Sequence, residues 1–308
     1  MGEAKRKREV VLNGPCPCGR NTIARVCCFN GKDWYKPAAK LGLKTLPQAS
    51  TVDKCYMREL GSCVAPISGE HLISESVIRV LMTGGDFSVS GVPWLAEGET
   101  KVLPPQSLRA NCLCTKHNSA LHPLDDAAQY FFVSLRSYLE SDAGSHHALV
   151  SGHDIERWLL KTAKAMAVSK NLARGRQRLS GAFAGDAAIL DMLDDPQQWP
   201  EGTGLYCTMN TGDNAINHSR FQLQPLTNAQ EDIEALALNI LGLGFVLIVG
   251  RPDEEKYPFL RGARFRPGRI VVAYPGQATN WLTLSWEDGK VHEPLTVQFV
   301  QAVSRQRG

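Results

Sequence analysis

No stretch of this 308-residue chain is long and apolar enough to cross a bilayer. The most apolar one, Ala235 to Val249, is broken by Asn239, Gly242 and Gly244. A secretion signal is missing as well. Lys5-Arg6-Lys7-Arg8 is basic, but only Val10-Val11-Leu12 follow before Asn13-Gly14-Pro15, too little for a signal core. Gly2 is followed by Arg6 where a myristoylation motif requires Ser or Thr. There is no internal repeat. Cysteine is almost absent from the second part of the chain, where Cys207 stands alone after residue 115. Together these absences argue against a membrane span, amino-terminal myristoylation and a secreted disulfide scaffold. They lead to the expectation of a soluble, cytoplasmic protein with no membrane partner.

What is present begins with an ordinary globular balance, 43% hydrophobic and 21% charged residues, which is enough to bury a sizeable core. The net charge of +3 is unevenly placed. Residues 1–60 hold twelve Lys/Arg against five Asp/Glu, a net +7, and the remainder sums to −4. A basic amino-terminal end beside a neutral body suits an anionic partner such as nucleic acid, and equally suits a solvated basic tail. Eight of the nine cysteines precede residue 115. Their odd total and close spacing favour metal ligands over disulfides.

Five segments follow from composition: a flexible basic arm (1–13), a cysteine cluster (14–30), a linker (31–50), a Cys/His-rich unit (51–140) and an accessory region (141–308). Apolar periodicity predicts helices over Leu124–Leu139 and Asp154–Val168, the latter with Ile155, Trp158, Leu159, Thr162, Ala163 and Met166 on one stripe. Asn228 and Glu231 read as a capping box for a helix running to Leu241. Phe245–Val249, Ile270–Ala273, Trp281–Trp286 and Leu295–Val300 read as strands. Cys207 reads as a core thiol, and His146-His147 as solvated loop residues. Two arginine groups, Arg174/Arg176/Arg178 and Arg261/Arg264/Arg266/Arg269, suit either a phosphate backbone or a solvated face. The fold class is α+β.

Cys16-Pro-Cys18-Gly and the Cys27-Cys28 pair place four thiols in a segment too short to bury a core. A tetrahedral zinc would staple it, a contribution of roughly 10–16 kcal/mol in zinc-finger peptides. This pattern resembles the SEC-C motif, a zinc knuckle of the bacterial secretion ATPase, although Arg20-Asn21-Thr22 replaces the usual Ser-Gly-Lys-Lys. The resemblance implies a structural zinc and docking of a protein partner.

Further on, Cys55, Cys63, Cys114 and His117 form a second candidate zinc set, with Cys112 as a substitute. Glu70-His71 precedes them in part, and Asn111-Cys-Leu-Cys114-Thr-Lys-His117-Asn118 closes the unit. The arrangement resembles the HNH (ββα-metal, treble-clef) nuclease family. Matched to that family, His71 is the general base and Asn111 orients its loop. Glu70 and Asn118 hold Mg²⁺ or Mn²⁺, and the zinc ties hairpin to helix. The forty-position separation of His71 and Asn111 exceeds the family's pattern. The function implied is a metal-dependent endonuclease hydrolysing phosphodiester bonds, DNA ahead of RNA. The alternatives are a non-catalytic zinc adaptor that docks protein or nucleic acid, and a nuclease gated by its carboxy-terminal part.

Overall fold

Residues Glu3–Asn13 form a helix, α1, where the sequence led us to expect a flexible arm. Ala, Glu, Lys and Arg dominate it and neither Gly nor Pro interrupts it. Arg25 ties its far end down, bonding Glu9 at 2.5 Å and Asn13 at 3.3 Å. This computed structural model describes residues 3–44, 50–82, 87–90, 95–96, 98–140, 145–174, 177–178, 183, 187–209, 221–274 and 279–298. The rest of the expected linker, 45–49, lies outside them, as do Arg176 and His218.

The cysteine cluster folds around one short helical turn, α2 (Ala24–Cys27). It is packed against the body: the Pro17 carbonyl accepts from Leu149 N–H at 2.7 Å and from Tyr130 O–H at 2.7 Å. Residues 35–43 are strapped along the body. Lys36 N–H donates to Ser285, Ala38 N–H to Glu287, Ala39 N–H to Asp154 and Leu43 N–H to Asp194. A chain without apolar period is thus held through its backbone donors.

Next come β1 (Ile67–His71), α3 (Glu75–Leu81), β2 (Phe87–Ser90), β3 (Thr100–Leu103), β4 (Arg109–Cys114) and α4 (Thr115–Ala120). β1 pairs antiparallel with β4, and a β2–β3 hairpin with α3 fills the long gap between His71 and Asn111. α5 (His122–Glu140), β5 (His147–Ser151) and α6 (Gly152–Val168) then cross the middle of the molecule. A two-residue hairpin, β6 (Ala173–Arg174) and β7 (Gln177–Arg178), and α7 (Ala187–Asp194) lead to the carboxy-terminal sheets.

One sheet is five-stranded and antiparallel. Its strands are β8 (Gly204–Met209), β9 (Phe221–Thr227), β10 (Ile233–Ile240), β11 (Leu243–Ile248) and β12 (Arg264–Phe265), in the order β12-β8-β11-β10-β9. The other adds β13 (Arg269–Ala273), β14 (Asn280–Ser285) and β15 (Pro294–Gln298) to β5, in the order β15-β13-β14-β5. The fold is therefore mixed α+β.

β10 stands where a helix was expected. Asn228 Oδ1 accepts from Gln230 N–H and Asp232 N–H, which makes a tight turn instead of a helix cap. Leu241 and Gly242, both at positive φ, then close the β10–β11 hairpin. α6 departs from a one-stripe amphipathic helix because every residue from Gly152 to Met166 is buried. Its charges have partners: Arg157 bonds Asp154 at 2.7 Å, and Glu156 receives two of the three Arg266 nitrogens at 3.0 Å.

Among the described residues, no helix is long and apolar enough to cross a membrane.

Candidate functional site

The four sulfurs of Cys16, Cys18, Cys27 and Cys28 all lie within 4.8 Å of one another. Cys18–Cys27 and Cys27–Cys28 are both 3.7 Å apart. A tetrahedron with zinc–sulfur bonds of about 2.3 Å has an edge of about 3.8 Å, so the donors fit zinc in chemistry and in spacing. The Thr22 side chain, by hydrogen bonding, brings the Cys27 thiol down to about 7, whereas burial pushes Cys16 up to about 11.

Cys55, Cys63, Cys114 and His117 converge in the same way, fully buried. His117 Nδ1 lies 3.4 Å from Cys55 Sγ, 3.4 Å from Cys114 Sγ and 3.7 Å from Cys63 Sγ. The corresponding zinc edge is about 3.6 Å. Burial first, and then Lys116, lower the His117 pKa, which keeps the ring neutral as a ligand must be. Cys114 does two jobs. It contributes a sulfur to the set and caps α4 by accepting from His117 N–H at 3.5 Å. Cys112, weighed as a substitute, is excluded from the set and lies on the Glu70 side, where burial and Glu70 raise its pKa to about 12.

The β1–β4 register sets Glu70 opposite Ala110, His71 opposite Arg109 and Gly69 opposite Asn111. Neighbours on a strand face opposite ways. Glu70 is accordingly buried, 4% exposed, while His71 stays half-buried on the other face. Asn111 is exposed and its amide oxygen lies over Gly69, on the His71 face. Asn118 sits inside α4, three residues beyond the first, and does not open the helix.

His71 Nε2 accepts from Arg109 Nε at 2.8 Å and lies 3.2 Å from a Glu75 oxygen. Burial and then Arg109 lower its pKa, with Glu75 opposing. Burial and Arg109 thus both favour the neutral imidazole.

Glu70 has a different partner from the expected one. Lys161 Nζ, from the middle of α6, donates to Glu70 Oε1 at 2.6 Å and to Asp125 at 2.8 Å. Ser74 O–H donates to Asp125, and Trp158 Nε1–H donates to Ser74 Oγ at 2.7 Å. Burial works against the Lys161 ammonium, but Glu70 and Asp125 outweigh it and raise its pKa. Burial likewise raises the Glu70 carboxyl, with Lys161 opposing. A hard divalent cation takes about six oxygen ligands. Here the carboxylate faces an ammonium instead. The residues around Glu70 do not fit Mg²⁺ or Mn²⁺ in this arrangement.

No protein-family model, curated protein or solved structure matches this chain. The site therefore stands on its own geometry. The structure brings together both zinc sets, and it brings His71 and Asn111 to one face. It turns Glu70 towards Lys161. It also adds Lys161, Asp125, Ser74 and Trp158, which no local spacing could reveal, since Lys161 lies 91 positions from Glu70 and 36 from Asp125.

Of the arginine groups, Arg266 is buried on Glu156 and so is not free to track a phosphate backbone, while Arg264 pairs with Glu293 at the surface.

Proposed function

We propose that the β1–β4–α4 unit is a phosphodiesterase centre of the HNH kind, a zinc-stapled endonuclease acting on DNA ahead of RNA, with His71 as its general base. The observation that carries this reading is the His71 imidazole on the open face of a hairpin, held 2.8 Å from the guanidinium of Arg109. A neutral imidazole can take a proton from water near pH 7. Arg109, 49% exposed, offers a planar fork suited to phosphate oxygens. A phosphate that draws Arg109 away leaves the His71 Nε2 lone pair open to water. Asn111, on the same face, is placed to orient the loop or the substrate. The zinc set Cys55, Cys63, Cys114 and His117 ties the pre-strand loop to β4 and α4, and so holds the hairpin's geometry. The divalent cation implied by the sequence resemblance is left out of this chemistry, because Lys161 faces Glu70.

That same ion pair favours a second reading, a zinc-held adaptor that binds nucleic acid without cutting it. In either reading the amino-terminal knuckle docks a protein partner, and the exposure of Ile23 (51%) and Val26 (78%) supports this.

A cleavage time course on plasmid and on RNA, with Mg²⁺, Mn²⁺ or EDTA, tests the reading in wild type and His71→Ala. Cutting by wild type that disappears in a mutant of unchanged zinc content is the expected result. Equal cutting by both removes His71 as the base, and no cutting on either substrate leaves the adaptor.

A further inference from the structure

We propose that the Lys161 ammonium is the resident cation of the Glu70–Asp125 pair and closes it to divalent metal, so that a Mg²⁺ or Mn²⁺ site forms there only when the ammonium is removed. The two carboxylates come from β1 and α5, and Lys161 bridges them at 2.6 and 2.8 Å with 1% of its side chain exposed. A divalent ion bound to both carboxylates at about 2.0–2.1 Å needs the ground that the ammonium holds. Sharing it would place unscreened like charges together in a buried site.

The lysine is not free to swing aside. It stands on α6, whose first turns are fixed by Asp154–Arg157 and by the Glu156–Arg266 pair. Trp158, one turn before it, is fully buried and bonded to Ser74, which in turn bonds Asp125. The cluster also holds an oxygen without a partner. The Tyr56 hydroxyl is buried with no hydrogen bond, and burial first, then the charge of Glu70 and to a lesser degree that of Asp125, raises its pKa. Two carboxylates against one ammonium leave a net charge of −1. Removing the lysine therefore leaves one buried carboxylate, Glu70, beside a partly exposed one, Asp125, an oxygen pair that a hard cation can use with water completing its shell.

The inference does not rest on nuclease activity, and its test reads metal binding and stability. Full-length, zinc-loaded protein is titrated with Mn²⁺, following free Mn²⁺ by electron paramagnetic resonance and following thermal unfolding. Wild type is expected to bind no Mn²⁺ at this site and to keep its Tm. Lys161→Met is expected to melt lower, to bind one Mn²⁺ per chain, and to gain roughly 4 °C at a hundredfold excess over Kd. Adding Glu70→Gln to Lys161→Met is expected to abolish that binding. If wild type binds Mn²⁺ and Glu70→Gln removes it, the ammonium does not close the site and the proposal is overturned. A folded Lys161→Met that ignores Mn²⁺ overturns it too. Should Lys161→Met not fold, Lys161→Gln keeps an N–H donor for one carboxylate. Failure of both variants to fold in Mn²⁺ also counts against the proposal, since the metal would supply the missing charge. Cleavage enters none of these readouts, so the result stands whatever the nuclease assay gives.

Discussion

Arg266 grips both oxygens of Glu156 at 3.0 Å, and neither side chain is more than 7% exposed. The pair joins α6 to the loop after β12, 110 residues away. The same Glu156 accepts from Leu205 N–H at 2.7 Å. Glu156→Gln leaves the buried guanidinium with Asp288 as its remaining counter-charge, and a loss towards the lower end of about 3–5 kcal/mol is expected in urea unfolding. Replacing both residues by apolar ones is expected to cost less than either single change. A double loss equal to the sum of the singles would show that the contact contributes nothing of its own. Gly204 belongs to this lock: at φ 131°, a Cβ there would run into the Glu156 carboxylate.

Stability is expected to fall on the acid side of neutrality because of His147. Burial, with Arg269 nearby, pulls its pKa down to about 4, and its ring packs against Trp34 and Trp281. Unfolded, the same imidazole titrates near 6.5. Between these values the unfolded chain binds the proton and the folded chain does not. Full stability is therefore present above about pH 6.5 and declines towards pH 4, by up to about 3 kcal/mol. His147→Gln should flatten that slope when urea midpoints are compared at about pH 7 and about pH 4.5. An unchanged slope assigns the effect to another group.

The two zinc sets should be separable by mutation. Cys27→Ser is expected to lower the zinc content from two ions per chain to one, with the β1–β4–α4 unit retained. Cys114→Ser removes a ligand and the cap of α4 together. It is expected to cost the other zinc and a larger fall in Tm, because that set lies inside the main core. Elemental analysis and thermal melts decide both. Two ions retained in either mutant would reject that ligand assignment.

Arg109 should set the titration of His71 independently of any activity. It is the second cause, after burial, of the lowered imidazole pKa, and Glu75 pulls the other way. Arg109→Ala removes the opposing cation and leaves the carboxylate, so the pKa should rise when followed by NMR. A fall, or no change, would mean that Arg109 does not face the ring in solution.

Local spacing made much of the site legible. Cys16-Pro-Cys18 with Cys27-Cys28, and Cys114 with His117 three residues on, announce their geometry within a turn or two. Strands β11, β13, β14 and β15 and helices α5 and α6 follow from apolar runs and periods. The failures have physical causes. Asn228 can cap a helix or close a turn with the same carboxamide oxygen, and only the pairing of β10 with β9 and β11 decides. The charged side of α6 looks solvent-facing, yet Glu156, Arg157 and Lys161 find partners on elements that periodicity cannot bring together. His147 reads as loop because nothing local shows that β5 pairs with β14, more than 130 residues away.

The Pro17 carbonyl has a role beyond its two bonds. By accepting from Leu149 N–H it covers the outer side of β5, the last strand of the four-stranded sheet. Leu149 itself is wrapped by Cys16, Cys18, Ala24 and Cys28. An uncovered edge strand is a template on which a second chain can pair. Zinc held by the four thiols would keep that cover in place, and a chelator is expected to bare the β5 edge to pairing with a second chain.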